Sequence, residues 1–321
     1  MMKRRLGATA SAAALLLVAA CGGDSDGDSS NGGEASEDVK VAVVLKTFAT
    51  EFWQEMKEGV EDKGDELGIE VEVSGGESED DVEGQLKLLE NAVGKNYDAI
   101  GVAPISPDSL NNAIREATDA GIPVANLDEQ VDMDNLNELG GSVQAFITTD
   151  NVAVGGMAAD FIADNVNDGA EVAIIEGKSG NASGDDRRDG AREQFEEDGL
   201  NVVESQPADW DRTKANDVAE NFLSKYPDLE AIYAANDTMA MGAQSAVSSE
   251  GRDVVVVGTD GNSDAIESVE DGQLAATVKQ DSYQLGQDAV EKLYELATSD
   301  VDLSPDAEVE EITLEGILID E

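Results

Sequence analysis

Residues 41–56 read VAVVLKTFATEFWQEM, a short apolar run that ends at Lys46 and passes at once into a segment of helical periodicity. Phe52, Met56 and Val60 recur at intervals of four residues, which predicts one apolar face of an α-helix. A strand that leads directly into a helix is the first half of a βαβ unit. The stretch therefore predicts an α/β fold built on a parallel sheet.

The alternation of strand and helix continues along the chain in two series, the first ending near residue 149. Two such series predict two similar lobes, each a parallel sheet with helices on both faces. Residues 129–141, EQVDMDNLNELGG, are predicted to be a longer loop. The alternating pattern of residues 308–320, EVEEITLEGILID, predicts one or two closing strands.

The N-terminus has the pattern of an export signal. Basic side chains at positions 3–5 precede a small and apolar run, and LVAAC then ends at Cys21, the only cysteine in the chain. This motif resembles a lipobox, so residues 1–20 are predicted to be a signal peptide and Cys21 a lipidated membrane anchor. Residues 21–38 are predicted to be a disordered acidic tether. The alternative is an ordinary secretory signal with an incidental cysteine.

The charge and the residue types exclude several classes of function. Acidic residues outnumber basic ones by 71 to 20, and the net charge of −51 should repel nucleic acid and anionic lipid. Such an acidic surface is typical of adaptation to salt. The chain has no histidine, so His-based triads and His metal sites are excluded. No catalytic residue, metal site or cofactor is predicted.

Polar side chains stand at the ends of predicted strands in both halves of the chain. Ligands of such sheets bind beyond the carboxyl ends of the strands. Each residue alone is readily explained as a helix N-cap or turn residue, but together they supply hydrogen-bond donors and acceptors without a metal. The set consists of Lys46, Asp128, Arg187, Asn236, Asp260 and Gln280.

This combination of groups suits a sugar. Planar carboxylate, guanidinium and amide groups can each pair with two neighbouring hydroxyls, and aromatic rings can cover the C–H face. Trp53 and Trp210 are the only tryptophans, and one comes from each half of the chain. Phe52 and Trp53 could instead fill the core; we expect Phe52 to be partly core and Trp53 to line the ligand site.

Several short motifs make a family resemblance specific. The chain from residue 39 resembles the periplasmic sugar-binding proteins of the ribose class, and most closely their allose-binding branch. The matching stretches include NLDE (126–129), GNASG (180–184), ADWDR (208–212), ANDTMA (235–240) and GTDG (258–261).

The resemblance implies a type I periplasmic binding protein fold: two Rossmann-like lobes joined by a three-strand hinge, with a monosaccharide in the cleft. The N-terminal lobe would comprise residues 39–149 plus 281–309, and the C-terminal lobe residues 150–280 plus 310–321. The implied ligand-binding residues are Lys46, Phe52, Trp53, Asp128, Glu129, Arg187, Trp210, Asn236, Asp260 and Gln280.

The resemblance also implies a monomeric, extracytoplasmic protein that delivers D-allose to an ABC transporter permease. Thr50 and Glu51 stand where the family commonly has Asn-Pro. Ribose, another hexose or an inositol therefore remain alternative ligands. A glycosidase using Asp128 and Asp260 is the enzymatic alternative. A ligand-gated repressor would need a DNA-binding headpiece, but the signal and tether occupy that place.

Overall fold

The computed structural model describes residues 39–320. The predicted signal peptide and the whole predicted tether, including Cys21, lie outside the described residues. That part of the chain contains ten helices and twelve strands, and the strands form two six-stranded sheets, as in the type I periplasmic binding protein fold. None of the helices among residues 39–320 has the length and apolar character needed to cross a membrane.

The first lobe is built on a six-stranded parallel sheet whose order is β2-β1-β3-β4-β5-β11. Most of β1, and all of β3, β4 and β5, is buried, as expected for strands covered on both faces. The strands are β1 (Lys40–Thr47), β2 (Glu70–Gly76), β3 (Ala99–Val102), β4 (Val124–Leu127), β5 (Ala145–Thr149) and β11 (Glu310–Leu314).

The second lobe repeats this order as β7-β6-β8-β9-β10-β12, and β12 is its one antiparallel strand. The repetition makes β4 of the first lobe equivalent to β9 of the second. The strands are β6 (Glu171–Glu176), β7 (Asn201–Pro207), β8 (Leu229–Ala234), β9 (Val255–Asp260), β10 (Ala276–Lys279) and β12 (Ile317–Ile319).

Helices cover both faces of each sheet. In the first lobe they are α1 (Glu51–Leu67), α2 (Val82–Val93), α3 (Asn111–Asp119), α4 (Met133–Leu139) and α10 (Ser282–Thr298). In the second lobe they are α5 (Asn151–Asn165), α6 (Ala182–Glu197), α7 (Arg212–Lys225), α8 (Asp237–Glu250) and α9 (Ser263–Glu270). The helix pairs α1–α10, α5–α6 and α7–α8 pack together over the sheets.

The chain passes between the lobes three times. The passages lie between β5 and α5, between β10 and α10, and between β11 and β12. Each is only a few residues long, so the lobes can change their relative orientation by rotating a small number of backbone dihedrals.

Two details differ from the sequence prediction. The resemblance places residues 310–314 in the C-terminal lobe, but β11 pairs with β5 and so belongs to the first sheet. The stretch 129–141 was predicted to be loop, but it contains α4, whose N-cap Asp132 accepts a hydrogen bond from the backbone N–H of Asn135 at 3.0 Å. The other lobe boundaries remain a prediction.

Candidate functional site

A cavity of about 230 Å³ lies between the lobes, where the carboxyl ends of both sheets meet. Side chains from both lobes line it. Nine of the ten residues predicted to bind the ligand are among them: Lys46, Phe52, Trp53, Asp128, Arg187, Trp210, Asn236, Asp260 and Gln280.

A buried ion pair forms the first-lobe wall. Lys46, near the end of β1, lies 3.0 Å from the carboxylate of Asp128, which directly follows β4. Burial by itself would lower the pKa of Lys46, but the Asp128 and Glu129 carboxylates reverse this effect and raise it. The ammonium is therefore charged at any physiological pH and can donate hydrogen bonds into the cavity.

Phe52 and Trp53 contact each other edge to face, with ring centroids 4.8 Å apart. Both pack into the core of the first lobe and both also line the cavity. Lys46 lies 5.2 Å from the centre of the indole, and the indole N–H donates to Glu79 at 2.7 Å. Trp53 is thus held from two sides, and it is only 3% exposed.

Arg187, on the first turns of α6, organises the second-lobe wall. Its guanidinium donates to the side chain of Asn151 and to the carbonyl of Ala235, each at 2.8 Å, and lies 3.4 Å from Asp260. Gln280 also donates to Asp260, at 2.7 Å. These contacts fix the orientation of the guanidinium, whose planar geometry allows it to donate two parallel hydrogen bonds.

The carboxyl of Asp260 is held away from solvent. Burial raises its pKa from 3.8 to about 6, although Arg187 and Gln280 act in the opposite direction. The side-chain oxygen of Gln280 is buried and has no hydrogen-bond partner among the described residues. An unpaired acceptor beside a carboxylate favours a ligand that carries hydroxyl groups.

Trp210 rests on a floor of two glycines. A Cβ atom at Gly177 would approach the indole to 2.0 Å, and one at Gly184 to 3.0 Å. The indole N–H faces the side-chain oxygen of Asn181 at 3.4 Å, and Arg187 lies 5.9 Å from the ring. The absence of side chains under the ring therefore sets its position in the cavity.

Backbone strain is concentrated at the cavity. Among the described residues, five other than glycine have a positive φ, and four of these line the cavity: Asp128 (59°), Asp209 (53°), Trp210 (63°) and Asp260 (117°). L-residues adopt this conformation at a cost, which is typical of functional sites. Asp128 and Asp260 stand at equivalent places, after β4 and at the end of β9.

Two predicted residues have additional or different roles. The side chain of Asn236 is the N-cap of α8, where it accepts from the backbone N–H of Met239 at 2.9 Å, and it also lines the cavity. Glu129 was expected to contact the ligand, but it is fully buried and does not line the cavity. Its carboxylate is occupied by Ala182 and Ser183 of the second lobe.

The structure adds cavity residues to the ten that the sequence predicts to bind the ligand. The sequence pattern gives little indication of these residues because most of them lie in irregular loops. Thr50 is the clearest: it is the N-cap of α1 but makes no side-chain cap bond, and its buried hydroxyl has no hydrogen-bond partner among residues 39–320. The added residues include Thr50, Ser78, Glu79, Asp80, Asp209, Thr238 and Asn262.

Sequence comparison assigns the family. A family model described as a periplasmic binding protein domain matches residues 41–300. The chain belongs to the periplasmic binding protein family. It is 51% identical over 249 residues to the D-allose-binding periplasmic protein of Escherichia coli, covering 76% of this chain and 80% of that protein. It is 35% identical over 262 residues to the ribose import binding protein of Bacillus subtilis, covering 82% of each chain.

Structural comparison agrees. An ABC transporter periplasmic solute-binding protein from Actinobacillus succinogenes, solved with bound D-allose, superposes with a TM-score of 0.80 at 30% identity. The match covers 88% of this chain and 97% of that one. This periplasmic binding protein is therefore similar in sequence and fold to sugar-binding components of ABC transporters.

The cleft of this binding protein is equipped for recognition of a neutral polyol. It offers fixed cationic donors, carboxylate and amide acceptors and two indoles within one small cavity. A free sugar can satisfy such groups and bury its C–H faces against the rings.

Proposed function

We propose that this binding protein captures a monosaccharide, D-allose by preference, and delivers it to the permease of an ABC transporter. The main support for this proposal is that one cavity contains planar polar groups from the strand ends of both lobes and one tryptophan from each lobe. The sugar bridges the two walls, so it binds the closed arrangement more tightly than an open one and shifts the population toward closure. A permease that recognises the closed shape then receives only loaded protein.

Specific contacts follow from the cavity. Lys46 and Asp128 pair with hydroxyls on the first-lobe side, and Arg187, Asn236, Asp260 and Gln280 on the second. The unpartnered hydroxyl of Thr50 supplies a hydrogen bond where the family commonly has asparagine. The 51% identity to a D-allose-binding protein favours D-allose. Ribose, another hexose and myo-inositol are the alternative ligands within the same mechanism.

The deciding experiment is calorimetric titration of the purified protein with D-allose, D-ribose, D-galactose and myo-inositol. We expect saturation by D-allose at micromolar concentration or below, with the others at least tenfold weaker. Saturation by another sugar alone would retain capture and replace the ligand. A folded protein that binds none of the four would refute the proposed function.

A matched pair of variants tests the site itself. Asp128→Asn keeps the shape of the side chain but removes the charge that pairs with Lys46, so affinity should fall about tenfold or more, from loss of a charge-assisted contact. Asp134→Asn makes the same chemical change on the exposed face of α4 and should bind normally.

Catalysis is the less favoured function. A glycosidase would need one of Asp128 and Asp260 to act as an acid and the other as a base or nucleophile. Here Asp128 is paired with Lys46, while Arg187 and Gln280 contact Asp260. We therefore propose that the protein is not an enzyme. Release of product from nitrophenyl glycosides, abolished by Asp260→Asn, would overturn this.

We further propose that the protein functions outside the cytoplasm as a monomer anchored through lipidated Cys21. The LVAAC motif at residues 17–21 supports this. Cys21→Ser should move the protein from the membrane fraction to the soluble fraction and abolish incorporation of a labelled fatty acid. Unchanged membrane association of the variant would contradict the anchor.

A further inference from the structure

Two carboxylates of the first lobe contact helix N-termini of the second lobe. The backbone N–H of Ala182 and the hydroxyl of Ser183, at the start of α6, donate to Glu129 at 2.5 and 2.8 Å. The backbone N–H of Ser263, at the start of α9, donates to the two oxygens of Glu51 at 3.2 and 3.1 Å, and its hydroxyl donates at 2.8 Å.

The two helices lack caps of their own. In the described second lobe, α5, α7 and α8 are each capped by their own N-cap side chain, Asp150, Asp211 and Asn236. The N-cap residues of α6 and α9 make no side-chain cap bond. The first N–H groups of a helix need an acceptor and carry partial positive charge. The missing caps are thus supplied from the opposite lobe.

The N-cap residue of α6 is engaged elsewhere. The amide nitrogen of Asn181 donates to the carbonyl of Ile105 in the first lobe at 3.2 Å, and its oxygen faces the indole of Trp210. Asn181 thus contacts both the indole of Trp210, in the second lobe, and the backbone of the first lobe. Its side chain is not available to cap α6, which leaves that position to Glu129.

Neither carboxylate lines the sugar cavity. The carboxylate of Glu129 nevertheless lies 3.7 Å from the ammonium of Lys46, and Lys46 does line the cavity. Burial raises the pKa of Glu129, while Lys46 acts in the opposite direction. A buried carboxylate is costly unless its oxygens are paired, so separating it from α6 would leave it with Lys46 as its remaining partner.

We propose that Glu51 and Glu129 are cross-lobe helix caps that stabilise the closed state of the binding protein, and that their contacts are broken when the lobes open. Glu129 is therefore a positioning residue, not a sugar ligand. This inference rests on the proposed capture by closure. Because apparent affinity depends on the population of the closed state, loss of a cap weakens sugar binding without removing a contact to the sugar.

The test uses Glu51→Ala and Glu129→Gln, with Glu58→Ala as control. Glu58 is exposed on the same helix as Glu51, and its replacement removes the same charge as Glu51→Ala. D-Allose affinity should fall about three- to tenfold for Glu51→Ala and about tenfold or more for Glu129→Gln, because exposed charged hydrogen bonds contribute less than buried ones. Dissociation should become faster, and Glu58→Ala should match the wild type.

Hydrogen exchange of the same full-length proteins, each saturated with D-allose so that the closed state is populated, tests the contacts directly. The amides of Ala182 and Ser263 should exchange faster in Glu129→Gln and Glu51→Ala, respectively, than in the wild type. Unchanged exchange at both amides would overturn the proposal, as would faster exchange with wild-type affinity. If the wild type binds no sugar, the proposed function fails and the exchange result alone decides whether the caps exist.

Discussion

Asp260 carries the most informative charge in the cavity. Its backbone is left-handed, its carboxyl is shielded from solvent, and its pKa is raised to about 6. A sugar hydroxyl can donate to the carboxylate form, whereas the protonated form has lost part of its accepting capacity. The charged groups around it are Arg187, the buried carboxyl of Asp237 and, more distantly, Asp128 and Glu79.

The first prediction is that sugar affinity falls as pH is lowered through about 6, by up to about tenfold per pH unit, because Asp260 must release a proton to bind. Asp260→Asn should bind weakly and lose this dependence. Calorimetry between pH 4.5 and 8 measures it. A flat profile in the wild type would show that the proton is not displaced.

The contribution of Asp260 to folding stability should depend on pH in the opposite direction to sugar affinity. The folded pKa of Asp260 lies above its ordinary value of 3.8, so between about pH 6 and 4 the folded state holds a proton that the unfolded chain lacks. The contribution of Asp260 to the free energy of unfolding, measured as wild type minus Asp260→Asn, should therefore rise as pH falls. Weaker binding with rising stability would separate this titration from acid unfolding.

At the scale of elements, the turn from β6 into α6 determines where the second indole lies. Gly177 follows the strand and Gly184 lies in the first turn of the helix, and both face the ring of Trp210. Because neither glycine has a side chain, the ring of Trp210 can lie close to the backbone at both positions.

The second prediction is that Gly177→Ala displaces Trp210 and lowers sugar affinity by up to about tenfold, in line with loss of an aromatic contact of roughly 0.5–1.5 kcal/mol. Because Trp210 is only partly buried, the thermal midpoint should change little. The matched control is Gly156→Ala on α5, where an added Cβ would meet nothing closer than 3.9 Å. Calorimetry and a thermal scan of both variants decide it; equal affinities would contradict the role of the glycine floor.

The positions of residues relative to strands explain which cavity residues could be predicted from the sequence. Asp128, Asp260 and Gln280 were predictable because strand periodicity locates the carboxyl end of a strand, and parallel sheets bring those ends together. Glu129 is one position further along a turn, where the direction of a side chain is not periodic. Glu79 was not predicted for the same reason, since its loop follows β2 without a repeating pattern.

Two elements show the same limit. Helix α4 has only seven residues, too few for a periodic apolar face to distinguish it from loop. The alternation of residues 310–314 predicted a strand, but alternation does not specify which sheet the strand joins. That choice depends on a pairing with β5 that is more than 150 residues away in sequence.

At the scale of the whole molecule, the surface is dominated by repulsion between carboxylates. The net charge is −51, and the ion pairs with exposed partners are too weakly stabilising to offset it. Salt screens such repulsion, because the Debye length falls from about 10 Å at 0.1 M to about 3 Å at 1 M.

The third prediction is therefore that the thermal midpoint rises by about 5 °C or more between 0.1 and 2 M sodium chloride, equivalent to roughly 2 kcal/mol at 2–4 °C per kcal/mol. Sucrose at equal osmolality is the control, since it does not screen charge. A midpoint that responds equally to both would attribute the effect to solvent exclusion. A midpoint that responds to neither would contradict the salt-adapted surface.

The first lobe is assembled from both ends of the described chain. Helix α10 supplies Leu285, Leu293 and other apolar side chains to the same core that holds Trp53, and β11 completes the edge of that sheet. On a ribosome or a translocation channel, the N-terminal segments emerge first but lack these partners. The indole beside Lys46 can reach its packed position only after α10 has been synthesised, so the core of the first lobe is completed after most of the second lobe has emerged.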